Sequence, residues 1–239
     1  MIKNNKILFL AVFFIFCGSA AGQNNEKKFS VSVNYNYTTT SKLYLQPKSA
    51  DEFLRGIHSF LDYISGAGIE FRYKISDGLY AGLSTEYLEK KGKITTLTVE
   101  TSRTENLLVD DGYRVIPVEL TGYYVFPFSL QEYKFFMGGG IGFYFGTHIR
   151  EIGDIKAETL NRETAFGIHI MVGMDYIITD YLSVRGSMKF RDVEFTMYNK
   201  YNRTEGTLND SPVRVLAQDF DSKVAVDGIT FSIGVTFQL

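Results

Sequence analysis

Ile229-Thr-Phe231-Ser-Ile233-Gly-Val235-Thr-Phe237-Gln-Leu239 alternates apolar and polar residues without a break. A period of two over that length is a strand with one apolar face. The opposite face is Thr230, Ser232, Gly234, Thr236 and Gln238, all small or uncharged, which is unusual for a surface meeting bulk water. Such a face suits the narrow lumen of a barrel whose outside is apolar.

The same period recurs upstream and predicts seven more strands. These are Phe29 to Tyr37, Ala67 to Ile75, Leu79 to Tyr87, Arg114 to Phe126, Tyr133 to Phe145, Phe166 to Ile178 and Leu182 to Arg191. In each, one parity is Phe, Tyr, Ile, Val, Leu or Met and the other is mainly Gly, hydroxyl or charged. The intervening segments after the second, fourth and sixth strands are short. Those after the first, third, fifth and seventh are long and polar, at roughly 38–66, 88–112, 146–164 and 192–227. Strict long–short alternation places the long loops at one end and both termini at the other. The expected fold is therefore all-β: an eight-stranded antiparallel up-and-down transmembrane β-barrel with four long extracellular loops and short periplasmic turns.

The amino terminus fits export. Lys3 and Lys6 precede the apolar run Ile7 to Phe16 and the small residues Gly18 to Gly22. That is the plan of a secretory signal peptide over 1–22, which leaves a barrel domain over 23–239. The run is too short for a membrane helix, which needs about 20 residues. Cys17, the single cysteine, follows the bulky Phe14-Ile15-Phe16, which does not suit a lipidation site. The mature chain then carries no thiol. A net charge of −2 gives no footing for nucleic acid.

The chain resembles the small outer-membrane β-barrel proteins of Gram-negative bacteria, the OmpA/OmpX/OmpW-type porin family. The resemblance rests on Tyr87-Leu-Glu-Lys-Lys-Gly92, Ile116-Pro-Val-Glu-Leu120, Gly138-Gly-Gly-Ile-Gly142, Thr179-Asp-Tyr-Leu-Ser183 and the carboxyl-terminal alternation. It implies the barrel fold and the bacterial cell outer membrane. It also implies that the last strand, Ile229 to Leu239, is read by the barrel-insertion machinery. The implied surroundings are outer-membrane lipid and lipopolysaccharide, and a monomer is the default for a closed barrel.

Parity gathers ten charges toward the lumen: Glu70, Arg72, Lys74, Glu86, Glu119, Lys134, Asp175, Arg185, Lys189 and Arg191. Unpaired buried charges are costly, so these should join into an internal network. Such a network either plugs the barrel or lines a narrow gated pore with a slight basic excess. No cofactor or metal site is expected. His148 near the rim is conceivable beside a loop Ser or Asp, as in lipid-modifying barrel enzymes, but no spacing supports catalysis, and the chain is read as a non-enzyme. Phe53, Leu54, Ile57, Phe60, Leu61 and Ile64 follow helical spacing behind a Ser49/Glu52 capping box; Gly56 and the alternating Leu61/Tyr63 fit a strand extension equally well, so both readings stand for 49–64. Loop residues Leu43, Tyr44, Leu45, Leu107, Leu108, Tyr198 and Tyr201 either meet an extracellular partner or pack on one another; both readings stand. Three functions remain: a closed barrel with a structural or surface-interaction role, a narrow porin or OmpW-like conduit for hydrophobic molecules, and, remotely, a lipid-modifying enzyme.

Overall fold

The structure is a computed structural model that describes residues 27–100, 104–208 and 211–239; the signal segment 1–22 and its cleavage site lie outside them. Among the described residues, twelve antiparallel strands form one sheet. They are β1 (Phe29–Tyr44), β2 (His58–Ser76), β3 (Leu79–Glu100), β4 (Thr104–Val125), β5 (Tyr133–Ile152), β6 (Ile155–Arg162), β7 (Ala165–Thr179), β8 (Leu182–Tyr201), β9 (Glu205–Leu208), β10 (Ser211–Val215), β11 (Asp219–Val226) and β12 (Ile229–Gln238), with one helical turn, α1 (Glu52–Gly56).

In the half that carries the short turns, β1, β2, β3, β4, β5, β7, β8 and β12 pair in that cyclic order. The β1–β12 ladder, Ser30↔Gln238 through Thr38↔Thr230, closes the ring. Those eight walls are the strands that the alternation predicts. Closure leaves no open edge to satisfy. Aromatic and aliphatic side chains of the outward parity stand exposed all round, among them Phe71, Leu120, Ile141, Ile170, Phe190 and Ile233.

The strands do not stop where the expected loops begin. β1, β2, β3, β4, β5 and β8 run on into 38–66, 88–112, 146–152 and 192–201. There β11 takes the place of β12 between β8 and β1, and β6 pairs with β8 in the place of β7. The hairpin β9–β10 joins the tip of β3. The long "loops" are thus largely a second storey of sheet.

Within this storey the two faces exchange character. On β8, Met188 and Phe190 point outward while Arg185, Lys189 and Arg191 point inward. Above them Asp192 and Glu194 point outward while Val193, Phe195 and Met197 are buried inside. The physical reason is the change of surroundings: lipid rewards apolar outer faces and water rewards polar ones, so the apolar residues slip one position in phase while the backbone continues. A kink accompanies the change on β1 and β2, where inward parity shifts from Thr38 to Ser41 and from Ile64 to Leu61. Tyr63 sits there with φ 60. The segment 49–64 resolves as a strand extension with a single helical turn. Its N-cap is Asp51, whose Oδ1 accepts from Phe53 N at 2.9 Å, and not the Ser49/Glu52 box.

Candidate functional site

The lumen is built in layers along the barrel axis. In the lower lumen, Tyr123 of β4, Phe136 of β5 and Met171 of β7 form a small apolar cluster. The Arg72 guanidinium lies 3.6 Å from the Tyr123 ring centroid and 4.4 Å from that of Phe136, which covers its faces with π density.

Two decks of ion pairs follow. In the first, Arg185 of β8 grips Asp175 of β7 through Nε and Nη2 at 2.6 and 2.8 Å. Its Nη1 donates to Glu70 at 2.6 Å and to Ser32 Oγ at 2.9 Å. Arg72 Nε completes the deck on Glu70. In the second, Lys189 donates to Glu119 at 2.5 Å and Glu86 at 3.3 Å, and Arg191 Nη2 to Glu86 at 2.5 Å. Asn36 donates to Glu86 and the Tyr144 hydroxyl to Glu119, at 2.7 and 2.8 Å. All these carboxylates and both arginines of β8 are buried. Gly142 makes room for this deck, since a Cβ there would stand 2.9 Å from Glu119 Cγ and 3.0 Å from the Tyr144 ring.

Eight of the ten charges expected in the network meet here, four of each sign. Lys74 and Lys134 stand nearer the strand ends. Both line a recess of about 410 Å³ at the short-turn mouth. Lys74 reaches Asp77 of the β2–β3 turn at 2.8 Å, and that contact holds the Asp77 carboxyl below its ordinary range. At a strand end a long cationic side chain reaches water. The basic excess assigned to the lumen therefore belongs to its mouth. His169 faces the lumen and meets Thr121 Oγ1 at 2.8 Å.

Above the decks lies the largest apolar cluster, including Leu43, Leu61, Ile64, Leu88, Tyr113, Val193, Phe195 and Val224. Leu43, for which partner contact and packing among loop residues both stood, is fully buried in it. Gly146 fits only because it lacks a side chain: a Cβ would lie 2.2 Å from the Phe195 ring.

A polar layer caps this cluster. Asn199 Nδ2 lies 2.9 Å from Ser222 Oγ, Ser222 Oγ 2.8 Å from His148 Nδ1, and His148 Nε2 2.5 Å from Asp111 Oδ1; Arg150 Nη1 reaches Asp111 Oδ2 at 2.9 Å. Donation from amide to hydroxyl, hydroxyl to Nδ1 and Nε2 to carboxylate satisfies the chain in one direction. The order Asp–His–Ser is that of an activated nucleophile. Here, however, Ser222 is fully buried and its oxygen accepts from Asn199. The sheet sends Asp111 inward and its neighbour Asp110 outward. His148 was legible as a rim residue. Its partners come from β4, β8 and β11, so only the pairing of strands could reveal them.

The topmost feature is a cup of about 540 Å³ between the β1–β2 connection, β5, β8 and the β10–β11 connection. Leu43, Ile152, Tyr201 and Val215 form its buried part, and Leu54, Ile57 and Leu216 its open part. Tyr201, another of those loop residues, is buried here, and burial pushes its phenol up. Arg150 also lines the cup, its guanidinium 5.6 Å from the Phe220 ring centroid.

Residues 8–237 match the family described as the outer membrane protein beta-barrel domain. The chain belongs to that family. Its place is accordingly the bacterial outer membrane, with the short turns and termini in the periplasm and the second storey outside. OprG from Pseudomonas aeruginosa shares the fold with a TM-score of 0.58 at 13% identity, over 89% of this chain and 96% of that one. Neisserial surface protein A aligns with a TM-score of 0.45 at 13% identity, over 88% and 97% of the two chains. E. coli Outer Membrane Protein W aligns with 0.41 at 16%, over 91% and 100%. Comparison with curated proteins finds no match.

Proposed function

We propose that the protein is a barrel closed across the membrane, and that its extracellular storey is the working part. The observation that carries this reading is the pairing of eight lumen charges into two buried decks, with a void of about 20 Å³ between them. Ions crossing such a lumen would have to break several charge-assisted bonds at once. The decks act as a plug that also fixes strand register. The barrel serves as an anchor, standing as a monomer in lipid and lipopolysaccharide, for a surface-interaction role.

The conduit reading draws on the apolar cup. The apolar cluster and the charged decks both lie between the cup and the periplasmic mouth, which weighs against passage along the axis. The Asp111–His148–Ser222 chain is read as a structural tie among β4, β5, β8 and β11, and the protein as a non-enzyme.

Purified protein in planar bilayers should give no stepwise current over the usual voltage range. Regular single-channel steps that vanish when the protein is left out would overturn the closed-barrel reading.

A further inference from the structure

We infer that the β4–β5 turn is a lipid anchor, with Phe126, Phe128 and Leu130 lying in the headgroup layer of the periplasmic leaflet. The inference goes beyond the proposed surface role and does not depend on whether the lumen conducts. The three short turns differ in chemistry. Ser76-Asp-Gly78 and Thr179-Asp-Tyr181 each carry a carboxylate, whereas Phe126-Pro-Phe-Ser-Leu130 carries no charge. Phe128 is 70% exposed and Leu130 64%, so folding of the barrel by itself gains little from either side chain.

The turn is built to hold these side chains out. Ser129 N donates to Phe126 O at 3.1 Å and Phe126 N to Phe135 O at 2.9 Å, while Phe135 N donates to Ser129 Oγ at 3.0 Å. Pro127 follows Phe126, the position where a fixed φ suits a tight turn. The rings continue the lipid wall. Tyr124 and Phe126 meet edge to face with centroids 5.9 Å apart, Phe126 and Phe128 stack at 5.0 Å, and Phe128 reaches Phe135 at 6.3 Å. Tyr124 and Phe135 have the outward parity of β4 and β5. That continuity names lipid, rather than a protein, as the partner.

Height agrees. At the top of the lipid wall Ile116 pairs with Phe145. Just above, the outer face turns ionic, with Arg114 Nη2 2.8 Å from Glu89. Phe135 stands ten residues below Phe145 on β5. At about 3.3 Å per residue and a tilt of about 40°, that stretch spans about 25 Å along the membrane normal, the height of the apolar band. The turn begins where the band ends, at the level that aromatic side chains favour.

The chain contains no tryptophan, so Phe128→Trp is a conservative single reporter. It is placed in phosphatidylcholine nanodiscs, which leave both faces open to solvent. Leu120→Trp on the lipid wall and Phe53→Trp on α1 serve as lipid and water references. Aqueous iodide should quench position 128 at least about ten times less than position 53, the factor equal to ~1.4 kcal/mol in favour of lipid. Phosphatidylcholine brominated on the acyl chain beside the headgroup should quench position 128 more than lipid brominated near the chain end, and the order should reverse at position 120. Iodide quenching at 128 equal to that at 53 overturns the anchor and leaves the turn to a protein partner. Stronger quenching of 128 by the chain-end bromine overturns the headgroup depth. Should Phe128→Trp fail to fold, Leu130→Trp reads the same turn.

Discussion

The two storeys of this barrel use the same strands with opposite chemistry. In the membrane, β8 shows Met188 and Phe190 to lipid and keeps Arg185, Lys189 and Arg191 inside. A few residues further on, the same strand shows Asp192 and Glu194 to water and keeps Val193, Phe195 and Met197 inside. β5 follows in part: outward Phe143 and Phe145 give way to outward Thr147 and Glu151 and Ile152 is buried inside, although His148 and Arg150 also point inward. The lower storey resembles a soluble protein turned inside out and the upper one an ordinary soluble β-barrel. A sheet has no preferred side of its own: the medium around each stretch decides which parity is apolar.

The sharpest way to break the comparison is to unbalance the lower interior. Arg185→Met leaves Asp175 and Glu70 buried without their shared cation and should cost about 3–5 kcal/mol, the range for breaking a buried pair. Urea titration of the protein folded in lipid vesicles measures it. A loss near zero would mean that water reaches the decks, and the lower storey would not be inverted at all.

Next comes a charge on each outer wall. Ile170→Arg, on the lipid face, should cost about 2–4 kcal/mol if it lies near the midplane, whereas Thr196→Arg on the upper wall should stay within about 0.5 kcal/mol. The same urea titration compares them, and equal losses would erase the distinction between lipid and water walls.

The upper interior is tested through its polar layer. His148→Leu leaves Asp111 and Ser222 short of a partner and should cost about 1–3 kcal/mol. Because the layer ties four strands together, cleavage by an added protease should begin in the upper storey while the membrane ring stays resistant. The smallest effect is expected from Ile64→Val in the apolar cluster, about 0.5–1.5 kcal/mol. Its size, compared with a lipid-facing Ile233→Val, sharpens the contrast between a packed interior and a lipid-bathed wall.

The eight membrane walls were legible because each holds one parity apolar over its whole length, as Ile229 to Phe237 does. The extensions were not. At Phe190 to Val193 and at Phe145 to Ile152 the apolar residues change phase, and a phase change reads as the end of a strand. For Leu43 and Tyr201 the sequence left partner contact and mutual packing equally open, and the sheet decides for burial. Parity also collected Lys74 and Lys134 with the lumen charges, because it says which side a residue faces and nothing of its depth along the axis.

Sequence by itself determined the sense of the barrel in lipid: alternation sets which face of each strand is apolar, and the order of long and short connections sets which end each faces. Tertiary structure alone decided which charges meet, how far the sheet rises above the membrane, and that Asp111, His148, Asn199 and Ser222 share one layer above the decks. The physical reason is range. Alternation is a property of neighbouring residues, whereas the partners of Arg185 and His148 lie on strands far away in the chain and are brought together only by register around a closed ring.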